Sequence, residues 1–424
     1  MSSVLPFDII NLIIDIVGEN EDTNLLKELA LVSHSFLQSC SKHLFATVEL
    51  HDAVPMCHVA SSKKGFVKLL KSRPDVVRYI RKLTYQVGYN NHFQSRQFSP
   101  TYVNDDRLLA TILPNFLRTI SHLNCLKITA SKLMDWNRLD TSLTSALLHL
   151  LHLPTINNID LSFIENFPLS SLAPSVNLLR LDIYHLRHFN RLEDEEDDSP
   201  EIVVLSEMMP KIREFHTSES SLLTTKLLNA KMQDGRPAFN FMDLRRLSTS
   251  SIRFDDERNI RYLLQNAKLL EKLRLSAGLG RSFVGLHDNL SPSARTLKVL
   301  DLAVSLHSVP PPLAGLCEEL EAMAGYNILE VLSFEVMVDG HETEEFIGST
   351  IQKVEEVLVK PGWSALRQVS FKVSIACCMV PKEDSAKLSE ALQSLPDKYL
   401  SHLSNLESVA FNYSAYVVEC AFDP

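Results

Sequence analysis

The chain has 424 residues, too many for one compact core; at about 150 residues per unit it divides into two or three. Apolar residues at 45% and charged residues at 22% are globular proportions, which exclude wholesale disorder and a collagen-like fibre. The charge of −10, from 42 basic and 52 acidic residues, has the wrong sign for a general nucleic-acid binder.

From the N-terminus, Pro6 and Asp8 open a helix, because Pro lacks an N–H that a first turn leaves unpaired and an acid suits the positive end. From Phe7 to Val17 only Asp8, Asn11 and Asp15 are polar, one narrow stripe, so nearly every side of this helix needs covering. Thr23 or Asn24 caps a short second helix with Leu25, Leu26 and Leu29. Ser33 caps a third with Phe36, Leu37, Cys40, Leu44 and Phe45. Three such helices cannot enclose this much apolar surface unaided, and a second protein is expected to close over it.

Three segments carry a resemblance: Leu5-Pro6-x-Asp8-Ile9-Ile10-x-x-Ile13, Leu29-x-x-Val32-Ser33-x-x-Phe36, and His43-Leu44-Phe45. Together they resemble an F-box, with Phe36 standing where that family usually has Trp. The resemblance implies that Leu5, Pro6, Ile9, Ile10, Ile13, Val32 and Phe36 dock on a Skp-type adaptor subunit, and through it on a cullin-RING ubiquitin ligase. The competing expectation is a helical cap that shields the end of a repeat array.

Residues 51–75 read as a basic helical linker, and Lys63 to Lys82 carries eight cations against Asp75 alone. From residue 76 onward an apolar-x-x-apolar-x-apolar pattern recurs. It starts at Leu123, Ile156, Leu178, Leu270, Leu297, Leu329, Leu366 and Leu406, with looser copies at Ile80, Ile212 and Leu244 that end in Tyr85, Thr217 and Thr249; the eleven starts are 22 to 43 residues apart. The last two apolar positions of each copy alternate as on a short strand with one buried face. Helical spacing lies between the copies. It runs over 108–120, from Asp255 to Ala267, from Pro312 to Gly325, from Phe346 to Leu358, and through Leu388, Leu392 and Leu395. The six acids Glu193 to Asp198 repel one another and read as a loop over about 192–200.

With 67 leucines and 12 glycines, this α/β pattern resembles a leucine-rich-repeat protein, here an irregular solenoid over residues 76–424. The resemblance implies a parallel sheet on the concave side and helices on the convex side. The family's regular Asn or Cys after each strand is absent. A generic α/β domain with similar buried strands is the competing expectation. The residue between the last two apolar positions of each strand points outward. That assigns Lys127, Asp160, Asp182, His216, Ser248, Arg274, Asp301, Ser333, Ser370 and Ala410 to a client-reading face.

No zinc pair, phosphate loop or nucleophile elbow occurs, so neither an enzyme, a metal site nor a cofactor is expected. The expected function is a substrate-recognition adaptor whose first 50 residues dock to a ligase and whose repeats hold a client protein. The alternative is a repeat scaffold without ubiquitin function. No apolar run reaches the roughly 18–20 residues of a membrane span, and Met1 to Asp8 shows no secretory leader. Seven scattered cysteines then read as reduced thiols in the cytoplasm or nucleus.

Overall fold

The computed structural model describes residues 6–20, 22–51, 62–87, 112–186, 203–204, 208–251, 255–277, 283–305, 315–339, 344–377 and 389–419. Leu5, the acidic run Glu193 to Asp198 and Pro312 lie outside them. The chain is an α/β protein whose strands pair in parallel, and it divides into two compact units. None of its described helices is long and apolar enough to cross a membrane.

The first unit, residues 1–210 with 229–239, opens with helices α1 (Phe7–Glu19), α2 (Thr23–Ala30) and α3 (His34–Leu44). Strand β1 (Thr47–Leu50), helix α4 (Ser62–Ser72), β2 (Lys82–Val87), β3 (Cys125–Asp135), β4 (Asn158–Glu165) and β5 (Arg180–Tyr184) follow. The five strands lie side by side in chain order. A separate pair of two-residue strands, β6 (Val203–Val204) and β8 (Lys231–Met232), belongs to the same unit.

The second unit, residues 211–228 with 240–424, contains β7 (Glu214–Ser218), β9 (Arg246–Ser251), β10 (Lys272–Ala277), β11 (Val299–Ser305), β12 (Val331–Asp339), β13 (Gln368–Cys377) and β14 (Ala410–Glu419). These also pair in parallel, in chain order.

The alternation read from the sequence is what the strands bury. In the first unit Leu83, Leu126, Ile159 and Leu181 stand in one register row, all at most 1% exposed. In the second, Phe215, Leu247, Leu273, Leu300, Leu332 and Val369 do the same. Helices between the strands add their own apolar stripes. Examples are Leu147, Leu150 and Leu151 of helix Thr141–Leu151, and Ile347, Ile351 and Val354 of helix Glu344–Leu358.

A backbone device marks most of the repeats. The carbonyl of Asn124 accepts the N–H groups of both Asn157 and Asn158, and the same two-to-one contact recurs at Arg81, Asn157, Arg213, Arg245, Glu271, Lys298 and Glu330. One oxygen thus satisfies two donors where these strands begin, so the chain turns from loop to strand without orphaning an N–H.

Four features differ from the sequence reading. The parallel array begins at Thr47, because β1 pairs with β2, and α4 buries Phe66, Val67 and Leu70 instead of acting as a simple linker. The cap of α2 is Asp22, whose carboxylate accepts the Leu25 N–H at 3.0 Å, not Thr23 or Asn24.

The last repeat sits two residues further on. Phe411, not Val409, stands opposite Val369, and Tyr413 stands opposite Phe371. A two-residue slip keeps the same side chains on the same face, so apolar alternation cannot see it. Past Ser162 the alternation of β4 inverts. Phe163 takes a left-handed φ of 60° and turns outward onto the His185 ring, while Ile164 turns in. The register with β3 shifts there, between Thr129 and Met134, and such a bulge re-aims side chains.

Candidate functional site: an apolar helix face turned outward

The three N-terminal helices share a core of one fully buried apolar residue each, Ile14, Leu26 and Cys40. Ile10, Val17, Leu29, Ala30, Phe36 and Leu44 pack around it, partly covered. Burial pushes the Cys40 thiol above its ordinary pKa, as desolvation disfavours a thiolate.

Helix α1 begins where Pro6 accepts the N–H groups of Ile9 and Ile10, with Asp8 in the positive first turn. Two of its three stripe residues are engaged by α3, while Asp8 stays exposed. Asn11 Oδ1 accepts the Ser39 hydroxyl at 2.6 Å, while Asp15 Oδ1 lies 2.6 Å from Lys42 Nζ and 2.7 Å from His43 Nε2. Those three partners are on α3. The hydrogen bond from Lys42, and then that from His43, holds the Asp15 carboxyl below its ordinary value. Gly18 makes the approach possible, since a Cβ there would lie 2.2 Å from the His43 ring.

With Asn11 and Asp15 meeting α3, apolar residues are left on the outside. Ile9 (43% exposed), Leu12 (56%), Ile13 (45%) and Ile16 (50%) follow helical spacing along one face, and Phe7 (50%) precedes them. The bend between α2 and α3 leaves Leu31 87% and Val32 65% exposed. A soluble helix ordinarily hides such a stripe. Of the residues picked from the sequence, Pro6, Ile9, Ile13 and Val32 are exposed, whereas Ile10 and Phe36 turn partly inward onto the core. Phe7, Leu12, Ile16 and Leu31 were missed. Leu12 and Ile16 lie three and seven residues after Ile9, so helical spacing could have found them.

The client-reading residues fall into register rows, one in each unit. In the first, Lys127, Asp160 and Asp182 stand abreast. Lys127 Nζ lies 2.7 Å from Asp160, and Arg180 engages Asp182 at 2.9 and 3.0 Å. Asp182 is a correction, because at 4% exposure it is buried and serves Arg180.

In the second unit the row runs His216, Ser248, Arg274, Asp301, Ser333, Ser370 and then Asn412, which the slipped register puts where Ala410 was expected. An open groove of about 420 Å³ lies over this face, with Ser333, Ser370 and Asn412 in its wall. In the same wall Glu335 bridges Arg274 at 2.9 Å and Lys372 at 2.7 Å, and Glu335 and Lys372 are residues the sequence did not single out. The groove offers hydroxyls, an amide and paired charges, which suits reversible polar contact. Among the described residues no group of three or more His, Cys, Asp or Glu could hold a metal ion.

Compared with known proteins, the chain matches no family model and no curated protein.

Proposed function

We propose that this chain is a non-catalytic recognition adaptor. The apolar face of α1, with Leu31 and Val32, docks on a Skp-type subunit of a cullin-RING ubiquitin ligase, and the strand face holds a client protein. One observation carries the reading. Asn11 and Asp15 of α1 bond to α3 while Ile9, Leu12, Ile13 and Ile16 are left to solvent. A cap for a repeat array would have the opposite arrangement, with a polar outer face. The motif resemblance names the partner, and the geometry supplies a surface of the right character for it.

The adaptor contributes proximity. Tethering a client beside the ubiquitin donor raises its effective concentration without any new bond chemistry in this chain. The strand-face rows supply polar contacts on a fixed scaffold, and the solenoid reading places them on its concave side.

Co-purification with a recombinant Skp-type subunit tests the assignment. Intact protein is expected to retain the subunit, and protein lacking residues 1–46, which keeps β1, is expected to lose it. Retention by both forms, or by neither, replaces the ligase reading with a repeat scaffold that has no ubiquitin function.

A further inference from the structure

Among the described residues, strand β14 ends the sheet of the second unit, and one of its long sides has no strand partner. It is ten residues long, or about 33 Å at 3.3 Å per residue. Its inward side chains Phe411, Tyr413, Ala415 and Val417 are only half-buried. Their partners on β13, Val369, Phe371, Val373 and Ile375, are at most 2% exposed. The apolar core is therefore open at this edge.

Natural edge strands are protected by Lys, by Pro or by bulges. Ala410 to Val418 contains no Lys, Arg, Asp, Glu or Pro, and the pairing of β14 with β13 runs in unbroken register.

The backbone parity is also defined. Ala410 donates its N–H to Arg367 on the β13 side, so the even-numbered residues bond inward and the odd-numbered ones bond outward. Ala415 fits this, because its carbonyl accepts the exposed Gln393 side chain at 2.9 Å instead of a strand.

We propose that two copies of this chain join edge to edge through β14, antiparallel about a two-fold axis at Ala415. Antiparallel pairing requires outward residues to meet outward residues, and this register pairs 415 with 415, 413 with 417, and 411 with 419. It sets Tyr413 against Val417, both half-buried and both on the inward face. Between Phe411 and Val417 the register brings no charged residues together. The interface is isologous and closes at two copies. Gln393 yields the Ala415 carbonyl to the partner's Ala415 N–H. The proposal is independent of the ligase reading, since it uses neither α1 nor any adaptor.

Sedimentation equilibrium of the intact protein at micromolar concentration is expected to give twice the 47.9 kDa chain mass, falling toward one chain on dilution. Ala415→Pro removes only an outward N–H, leaving the β13 ladder and the melting temperature intact, and is expected to give a monomer. Ser414 faces Tyr416 across the axis. The double change Ser414→Lys with Tyr416→Lys is therefore expected to dissociate the pair at low salt, and Ser414→Lys with Tyr416→Glu to restore it. A protein monomeric at every concentration overturns the proposal. So does a dimer that survives Ala415→Pro but is lost in Ile13→Asp, or an assembly larger than two.

Discussion

Ile13 and Ile14 are neighbours on α1 with opposite surroundings, 45% and 0% exposed, and they give the sharpest test of the docking face. Burying a whole aliphatic side chain is worth about 1.5–3 kcal/mol, so covering the exposed half of Ile13 is worth about 1 kcal/mol. The seven outward residues together offer roughly 7–10 kcal/mol before association costs of about 4 kcal/mol or more, so apolar cover alone reaches only about the millimolar-to-micromolar range and tighter binding needs further contacts. Ile13→Asp forfeits its share and sets an unpaired carboxylate in the interface, a total of about 4 kcal/mol or more, or roughly a thousandfold in Kd.

Its cost to folding is only about 1 kcal/mol, since half the side chain was already in water. Ile14→Ala reverses the pattern. It opens a cavity in the three-helix core and costs about 2–5 kcal/mol of stability. Isothermal titration with a Skp-type subunit and thermal denaturation read the two effects separately. If Ile13→Asp binds like the wild type, or melts as early as Ile14→Ala, the face is not a docking surface.

Three further outcomes follow from the same geometry. Glu355, 3% exposed on helix Glu344–Leu358, accepts the N–H groups of His402 and Leu403 at 2.8 and 2.9 Å. Glu355→Ala leaves those donors unpaired, so a loss of about 2–4 kcal/mol in urea denaturation is expected, with faster amide exchange at 402 and 403. The Asp15 carboxyl lies below its ordinary value of 3.8 in the folded protein, so its contribution is complete above that value and lost as pH falls through the lowered one. The melting temperature of Asp15→Asn should accordingly trail the wild type at neutral pH and converge with it in acid. Cys40 is fully buried with its thiol raised, and iodoacetamide is expected to leave it unlabelled in the native protein and label it in urea.

The sequence alone determined the period and the faces. Apolar residues two apart on a strand, or three and four apart on a helix, must share a side whatever lies around them. Thus Leu126 with Ile128, Leu300 with Leu302 and Leu332 with Phe334 are buried pairs as read. Ser33 likewise caps α3, because a cap is a contact across three residues.

Tertiary structure decided whatever depends on a neighbour. The slip that sets Phe411 opposite Val369 preserves parity, so only the strand beside it could choose the register. Phe163 turns outward because a bulge formed against β3. On α1 a narrow polar stripe predicts its own exposure, yet Ser39, Lys42 and His43 of α3 engage Asn11 and Asp15. That choice, absent from the α1 pattern, is what turns Ile9, Leu12, Ile13 and Ile16 to the outside.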